Sequence, residues 1–412
     1  MGIVVQKYGG TSVGNVERIK NVAKRIQKTV QEGTQVVVVV SAMGDQTDEL
    51  ISLMNQVTKK PPRREMDMIL TTGEQISIAL LSTALQELDV PSISYTGWQA
   101  GIETESEFGN ARILDINPKR IYKSLKEGKV VIVAGFQGIT EKEEIATLGR
   151  GGSDTSAVAL AVAVKADYCE INTDVEGVYS TDPRIVPKAR KLPAISHDEM
   201  LEMATLGASV LHPRAVELAK VHGVKILVRS SFSDKEGTYI KEANEMEQEN
   251  VVSGIAYDTD VIKIDVLNMP NKVDTISSLF DSLASEKINV DMIVLSDRGT
   301  ETFNLSFSVS IEDAERTIKT LKQHESELLF TDAFYEKDVA KVSIIGSGMS
   351  IHPGVAAKMF QTLSNEDIQI KMITTSEIKV SCIIPEEKGK NAVKILHSAF
   401  DLDTTEKAKV EA

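Results

Sequence analysis

Lys7-Tyr8-Gly9-Gly10-Thr11-Ser12-Val13-Gly14 is the stretch whose reading decides the fold. A short apolar run at 3–5 leads into it. Behind it, over 15–31, Val16, Ile19, Val22, Ala23, Ile26 and Val30 recur at helical spacing. Strand, glycine turn and amphipathic helix form an α/β unit. Backbone N–H groups at glycine can approach a phosphate closely, a helix N-terminus favours negative charge, and Lys7 adds a point charge beside them. The stretch is not a Walker A loop, because Asn15 stands where that pattern needs lysine. Nor is it the dinucleotide fingerprint, because Thr11 occupies the second glycine position. By itself it reads equally well as a plain strand–turn–helix capped by Ser12.

Working outward, the runs 36–40 and 130–134 are continuous and β-branched, and 92–95, 168–172 and 225–229 are shorter candidates. Continuous rather than alternating apolarity predicts strands buried on both faces of a mainly parallel sheet. Helices are predicted at about 65–88, 153–165 and 212–222, which gives an α/β sandwich over residues 1–240. Residues 241–250 are polar and acidic and read as a linker. Beyond them the chain repeats itself. Val261-Ile262-Lys263-Ile264 matches Val339-Ala340-Lys341-Val342, and Phe280, Leu283, Ile288, Val290, Met292 and Ile293 match Phe360, Leu363, Ile368, Ile370, Met372 and Ile373. Each copy reads strand, helix, strand, strand, helix, which predicts a ferredoxin-like βαββαβ module twice over. A pair used only for dimerisation would have the same pattern.

Length and composition bound the rest. At 412 residues the chain should hold two or three domains. Its net charge of −14 argues against a general nucleic-acid or anionic-membrane surface, and no apolar run reaches membrane-spanning length. Cys169 and Cys382 form neither a disulfide framework nor a zinc spacing. The sequence opens on a strand without a signal peptide, so a cytoplasmic setting is expected.

Further motifs carry chemistry. In Gly149-Arg150-Gly151-Gly152-Ser153-Asp154 the glycines let backbone crowd a ligand, and Arg150 can grip a carboxylate through two parallel hydrogen bonds. Ser153 is positioned to cap the following helix, and Asp154 to place a metal, a lysine or a hydroxyl. Thr173-Asp174 ends a predicted strand, and Tyr179, Asp182 and Arg184 follow closely, a set that suits ribose, base and phosphates or an ordinary turn. Thr71-Thr72-Gly73-Glu74 is read as opening a helix, with Glu74 in its first turn as a dipole partner or as the partner of a ligand ammonium. Ser41, with Thr47 just beyond, ends the five-valine strand as a ligand loop would. His212-Pro213 and His352-Pro353 mark turns or helix starts, no histidine set has metal-ligand spacing, and Trp98 is expected to be packed.

Taken in order, these motifs resemble the aspartokinases of the amino-acid kinase superfamily, which carry a C-terminal pair of ACT domains. The resemblance spans essentially the whole chain; Tyr8, where many relatives have Phe, is a mild departure. It implies an amino-acid-kinase-type αβα sandwich with a mainly parallel central sheet over 1–240, then two ferredoxin-like ACT modules. The first would occupy 251–338 and be completed by 386–405, with the second, 339–385, inserted into it. The implied reaction transfers the γ-phosphoryl group of ATP, with Mg2+, to the side-chain carboxylate of L-aspartate. Its product, 4-phospho-L-aspartate, opens lysine, threonine, methionine and diaminopimelate synthesis.

The resemblance also implies residue roles. Lys7 and Asp154 would be catalytic, with Asp154 orienting Lys7 or the metal. Lys7, Gly9, Gly10, Thr11, Thr173, Asp174, Tyr179, Asp182 and Arg184 would surround the nucleotide. Ser41, Thr47, Glu74, Arg150, Gly151, Gly152 and Ser153 would line the aspartate pocket. Lysine, alone or with threonine, would be the inhibitor, with Asp274, Met292, Gly348, Met349, Val355 and Glu377 as effector contacts. A homodimer through the ACT modules is implied, with neither nucleic acid nor membrane as partner. A shorter regulatory chain starting at Met246 is a further expectation. The alternatives are another amino-acid kinase, acting on glutamate or a carbamate, and a non-catalytic ACT-based sensor.

Overall fold

All six apolar runs become strands of one eight-stranded sheet. In a computed structural model, which describes residues 2–207, 210–243, 251–297 and 301–403, its order is Ala194–Ser196, Thr238–Lys241, Ile226–Ser230, Tyr168–Thr173, Ile3–Tyr8, Gln35–Val40, Val130–Ala134 and Ser92–Tyr95. Every neighbouring pair is parallel except Ile226–Ser230 with Thr238–Lys241. The five valines 36–40 are each at most 1% exposed, as expected of strands covered on both faces. Register sets Lys7 between Val39 and Ile171.

Helix Val16–Gln31 buries Ile19, Val22, Ala23 and Ile26 against the sheet, while Val16, its first residue, is 57% exposed. Asn15, not Ser12, caps it through a bond from the Arg18 N–H (2.9 Å); a short 3-10 turn, Gly10–Val13, intervenes. Trp98 is 60% exposed rather than packed. Helix Arg63–Gln86 has 24 residues, so Thr71–Glu74 lies in its interior and opens no helix. Gly73 fits there because a Cβ would come within 2.7 Å of the Ala42 side chain. By length and composition this helix alone, among the described residues, could cross a bilayer, yet its sheet-facing side is buried in the sandwich. A second sheet escaped the sequence reading, because its strands Ile113–Ile116, Ile102–Thr104, Gln137–Thr140 and Ile145–Thr147 are only three or four residues long.

The described residues fall into two units. The first draws on 1–178, 191–205 and 209–247, and the second on 179–190, 206–208 and 248–412. The second unit corrects the expected insertion. One four-stranded sheet uses Ile262–Pro270, Ile293–Asp297, Thr302–Val309 and Asp332–Glu336 and is continuous in sequence. The other orders Gly254–Asp258, Val339–Ile345, Lys379–Pro385 and Met372–Thr375, so its outer strand comes from ahead of the first module. Helix Glu386–Ala399 buries Ala392, Val393 and Leu396 with Val342, Ile344 and Cys382, so it completes the second module and not the first. It is therefore the first module that is inserted into the second. The apolar stripe of the last helix finds its cover on the sheet whose strand Lys379–Pro385 leads directly into it. Most of the segment 241–250, and Met246 within it, lies outside the described residues.

Candidate active site

The first glycine turn sits on the carboxyl end of the central strand. Gly9 N–H donates to the Asn172 carbonyl (3.3 Å), and Gly44 N–H donates to the Gly10 carbonyl (3.1 Å). The turn is thereby stitched to the ends of both flanking strands. Ser41 continues strand Gln35–Val40, with its N–H on the Tyr8 carbonyl (3.2 Å). Thr47 lies in the first turn of helix Gln46–Val57.

Glu74 reaches this edge from the long helix. It is 3% exposed; Oε1 accepts from the Ala42 N–H (3.0 Å), and Oε2 is buried without a partner among the described residues. Burial pushes its carboxyl up to about 7, against the opposing pull of that N–H. A second partner is what this carboxylate lacks, and an ammonium would supply one.

The second glycine turn enters helix Gly152–Ala163 through Gly151, which caps it at φ +63°. Ser153, expected to be the cap, lies inside the first turn with its Oγ against Gly135. Asp154 is one residue further in. Its Oδ1 stands 2.6 Å from Lys7 Nζ, both side chains 12% exposed. Helix and central strand thus meet in a shielded ion pair directly beside the first glycine turn. Arg150 is exposed and has no hydrogen bond or ion pair among the described residues.

Thr173 ends the adjoining strand, and its hydroxyl donates to Asp174 (3.1 Å). Ser231 ties this end to the turn, bonding the Thr173 carbonyl (3.1 Å) and the Ser12 hydroxyl (2.8 Å). Lys7, Gly9, Gly10, Thr11, Ser41, Glu74, Asp154 and Thr173 therefore share one edge. Tyr179, Asp182 and Arg184 belong to the second unit. There Arg184 embraces Asp182, with Nε 3.0 Å from both carboxylate oxygens, and lowers the Asp182 carboxyl.

The amino acid kinase family matches residues 2–230, and an ACT domain matches 342–400. The chain is 56% identical to an aspartokinase of Bacillus sp. (strain MGA3), covering 98% of each chain. The chain belongs to the aspartokinase family. Crystal structures of Escherichia coli aspartokinase III, 26% identical, cover 97% of the chain. The complex with aspartate and ADP (R-state) superposes with a TM-score of 0.83 over 100% of that chain. The complex with lysine and aspartate (T-state) gives 0.74 over 99%. This aspartokinase is thus an aspartate kinase that binds ATP and carries ACT domains.

In this aspartokinase the expected effector contacts are dispersed through the second unit. Asp274 is exposed in the first turn of helix Val273–Ser285, and Glu377 is exposed between strands Met372–Thr375 and Lys379–Pro385. Gly348 and Met349 lie in the 3-10 turn Ser347–Ile351, and Val355 opens helix Val355–Asn365. Met292, in the connection just ahead of strand Ile293–Asp297, is 3% exposed in an apolar cluster with Val261, Val339, Met372 and Ile383.

Sequence reading missed three residues beside the kinase site. Asp67 is fully buried, His212 lies against Gly151, and Arg214 reaches the loop before it. His212 and Pro213 do open a helix, as expected. Asp67 had a legible signal: it precedes Glu74 by two helical turns, so both carboxylates lie on the same face.

Proposed function

We propose that the phosphoryl group transferred is the γ-phosphoryl of ATP and that it goes to the side-chain carboxylate of L-aspartate, giving 4-phospho-L-aspartate at the head of lysine, threonine, methionine and diaminopimelate synthesis. The observation that carries the reading is the shielded Lys7–Asp154 pair at 2.6 Å on the same strand-end edge as Glu74. An aspartate side chain, with a reference pKa near ~3.9, is already ionised at neutral pH, so no base is needed to make the nucleophile. The obstacle is bringing an anion to a polyanion, which positioning and charge stabilisation overcome.

Lys7 holds its charge on the transferring group, and Asp154 orients Lys7. Gly9, Gly10 and Thr11 present backbone to the phosphates. Thr173 and Asp174 serve the nucleotide at this edge; Tyr179, Asp182 and Arg184, expected for the same role, belong to the second unit. Glu74 takes the substrate ammonium and Arg150 its α-carboxylate, with Ser41, Thr47, Gly151, Gly152 and Ser153 completing the pocket. The described residues hold no cluster of three or more metal-ligand side chains. Mg2+ would come with the nucleotide, and Asp154, beside the first glycine turn, would be the carboxylate available to hold it. The ion would neutralise phosphate charge.

Lysine, with or without threonine, is the proposed inhibitor, acting through the ACT modules at Asp274, Met292, Gly348, Met349, Val355 and Glu377. Lysine bound to the Escherichia coli relative supports this. Exposed Ile293 and Leu295 on the edge strand Ile293–Asp297 support a homodimer through the modules. A shorter chain starting at Met246 would include every strand of both ACT sheets, because Gly254–Asp258 follows it. Buried, free Cys169 and Cys382 accord with a cytoplasmic setting.

The test is phosphorylation of aspartate, glutamate and a carbamate, measured with lysine, threonine and both. Turnover confined to aspartate and inhibited by lysine is expected. Turnover of glutamate or carbamate at the same rate would overturn the substrate assignment. Full inhibition in a chain cut at residue 240 would overturn the effector assignment.

A further inference from the structure

We propose that Arg214 and Asp67 are positioning residues that set the Arg150 turn in its aspartate-reading geometry without touching substrate. The inference rests on the reading that Arg150 takes the α-carboxylate. With no partner of its own among the described residues, Arg150 is aimed by its backbone. That backbone turns through Gly149 at φ +76° and Gly151 at φ +63°, conformations that ordinary side chains disfavour.

The turn is held through the strand end that leads into it. Asp67 accepts three hydrogen bonds, from Thr147 N–H, the Thr147 hydroxyl and Gly109 N–H, each 2.9 Å. Arg214 donates to the Leu148 carbonyl at 2.7 Å, the Ala111 carbonyl at 3.0 Å and Asn110 Oδ1 at 3.2 Å. Two opposite charges on different helices thus bridge the same two segments, 109–111 and 147–148. The first of these segments is also the wall behind Gly149, where a Cβ would lie 2.8 Å from Asn110 Oδ1. His212 closes the other side; a Cβ on Gly151 would lie 2.2 Å from it. Neither clamp is paired with the other, so both charges are directed at these two segments, mostly at their backbone. Burial works against both charged forms, raising the Asp67 carboxyl and lowering the Arg214 guanidinium.

The test is steady-state kinetics on Arg214→Ala, Arg150→Ala and the double variant. Arg214→Ala is expected to raise the KM for aspartate about tenfold, with the KM for ATP changed less than about twofold. Because Arg214 acts through Arg150, the double variant should be no worse than Arg150→Ala alone. Multiplying effects, or equal changes in both KM values, would overturn the inference while leaving the role of Arg150 intact. An unchanged aspartate KM in Arg150→Ala would overturn that role and this inference with it. Should Arg214→Ala not fold, Thr147→Val removes one Asp67 bond at similar volume. A several-fold rise in aspartate KM, absent in the Arg150→Ala background, then supports the inference, and no rise or an additive rise overturns it.

Discussion

Glu74 in the kinase unit and Lys341 in the ACT pair are both charged side chains taken almost wholly out of water, at 3% and 5% exposure. Their circumstances are opposite. Lys341 Nζ lies 2.7 Å from Asp291 and 3.5 Å from Asp258, so its charge is matched within the second unit. A second pair, Lys371 with Glu336, again links the two ACT sheets. Among the described residues, Glu74 has one backbone donor on one oxygen and none on the other. A buried charge with internal partners is architecture. A buried charge held short of partners is retained where something from outside completes it, at a cost to the fold.

The contrast can be broken experimentally, and the largest expected effect lies in the kinase unit. Lys7→Ala should cost turnover about 3–4 kcal/mol in transition-state stabilisation, roughly a 10²–10³-fold fall in kcat. Wild-type kcat in the folded variant would remove Lys7 from the chemistry.

Glu74→Gln comes next and has a pH signature. Burial lifts the folded-state carboxyl to about 7, from an ordinary 4.5. Between those values the folded protein keeps a proton that the unfolded chain releases. The associated stability is therefore complete below pH 4.5 and lost as pH rises through 7, on the order of 3 kcal/mol. Thermal unfolding across that range should lose this slope in Glu74→Gln. The proposed contact with the substrate ammonium needs the ionised form, so on that proposal the wild-type KM for aspartate should fall between about pH 6 and 8, and the variant should bind aspartate weakly at every pH. An identical KM–pH profile in the two proteins would show that Glu74 does not meet the substrate.

Lys341→Met should have the smallest effect. It abandons Asp291 and Asp258, but solvent reaches both, so about 1–2 kcal/mol is expected rather than the ~3–5 of a fully buried pair. Chemical denaturation measures it, and the KM for aspartate should stay put. A raised aspartate KM would erase the distinction between the two buried charges.

The parallel strands were legible because covered strands are continuously apolar, as at 36–40 and 130–134. The glycine turns were legible because backbone that must crowd a ligand needs residues without Cβ. The span of the helix through Glu74 was legible, 65–88 against Arg63–Gln86, but Thr71-Thr72-Gly73-Glu74 carries a capping signature that reads as a helix start inside it. Packing against Ala42, which local propensity does not contain, put a glycine in mid-helix. The ACT repeat was visible, but which module contains the other was not, because both copies share one pattern of strands and helices.

The sequence by itself determined the α/β class, the doubled βαββαβ pattern and the residue types of the site, because burial periodicity and backbone freedom are properties of neighbouring residues. Only the tertiary structure decided that Lys7 meets Asp154, that Glu74 is left with an unpaired oxygen, that Asp67 and Arg214 clamp one turn, and that strand Gly254–Asp258 completes the second module. Those outcomes depend on which distant segments share a surface, since desolvation and pairing of a charge are set by its neighbours in space.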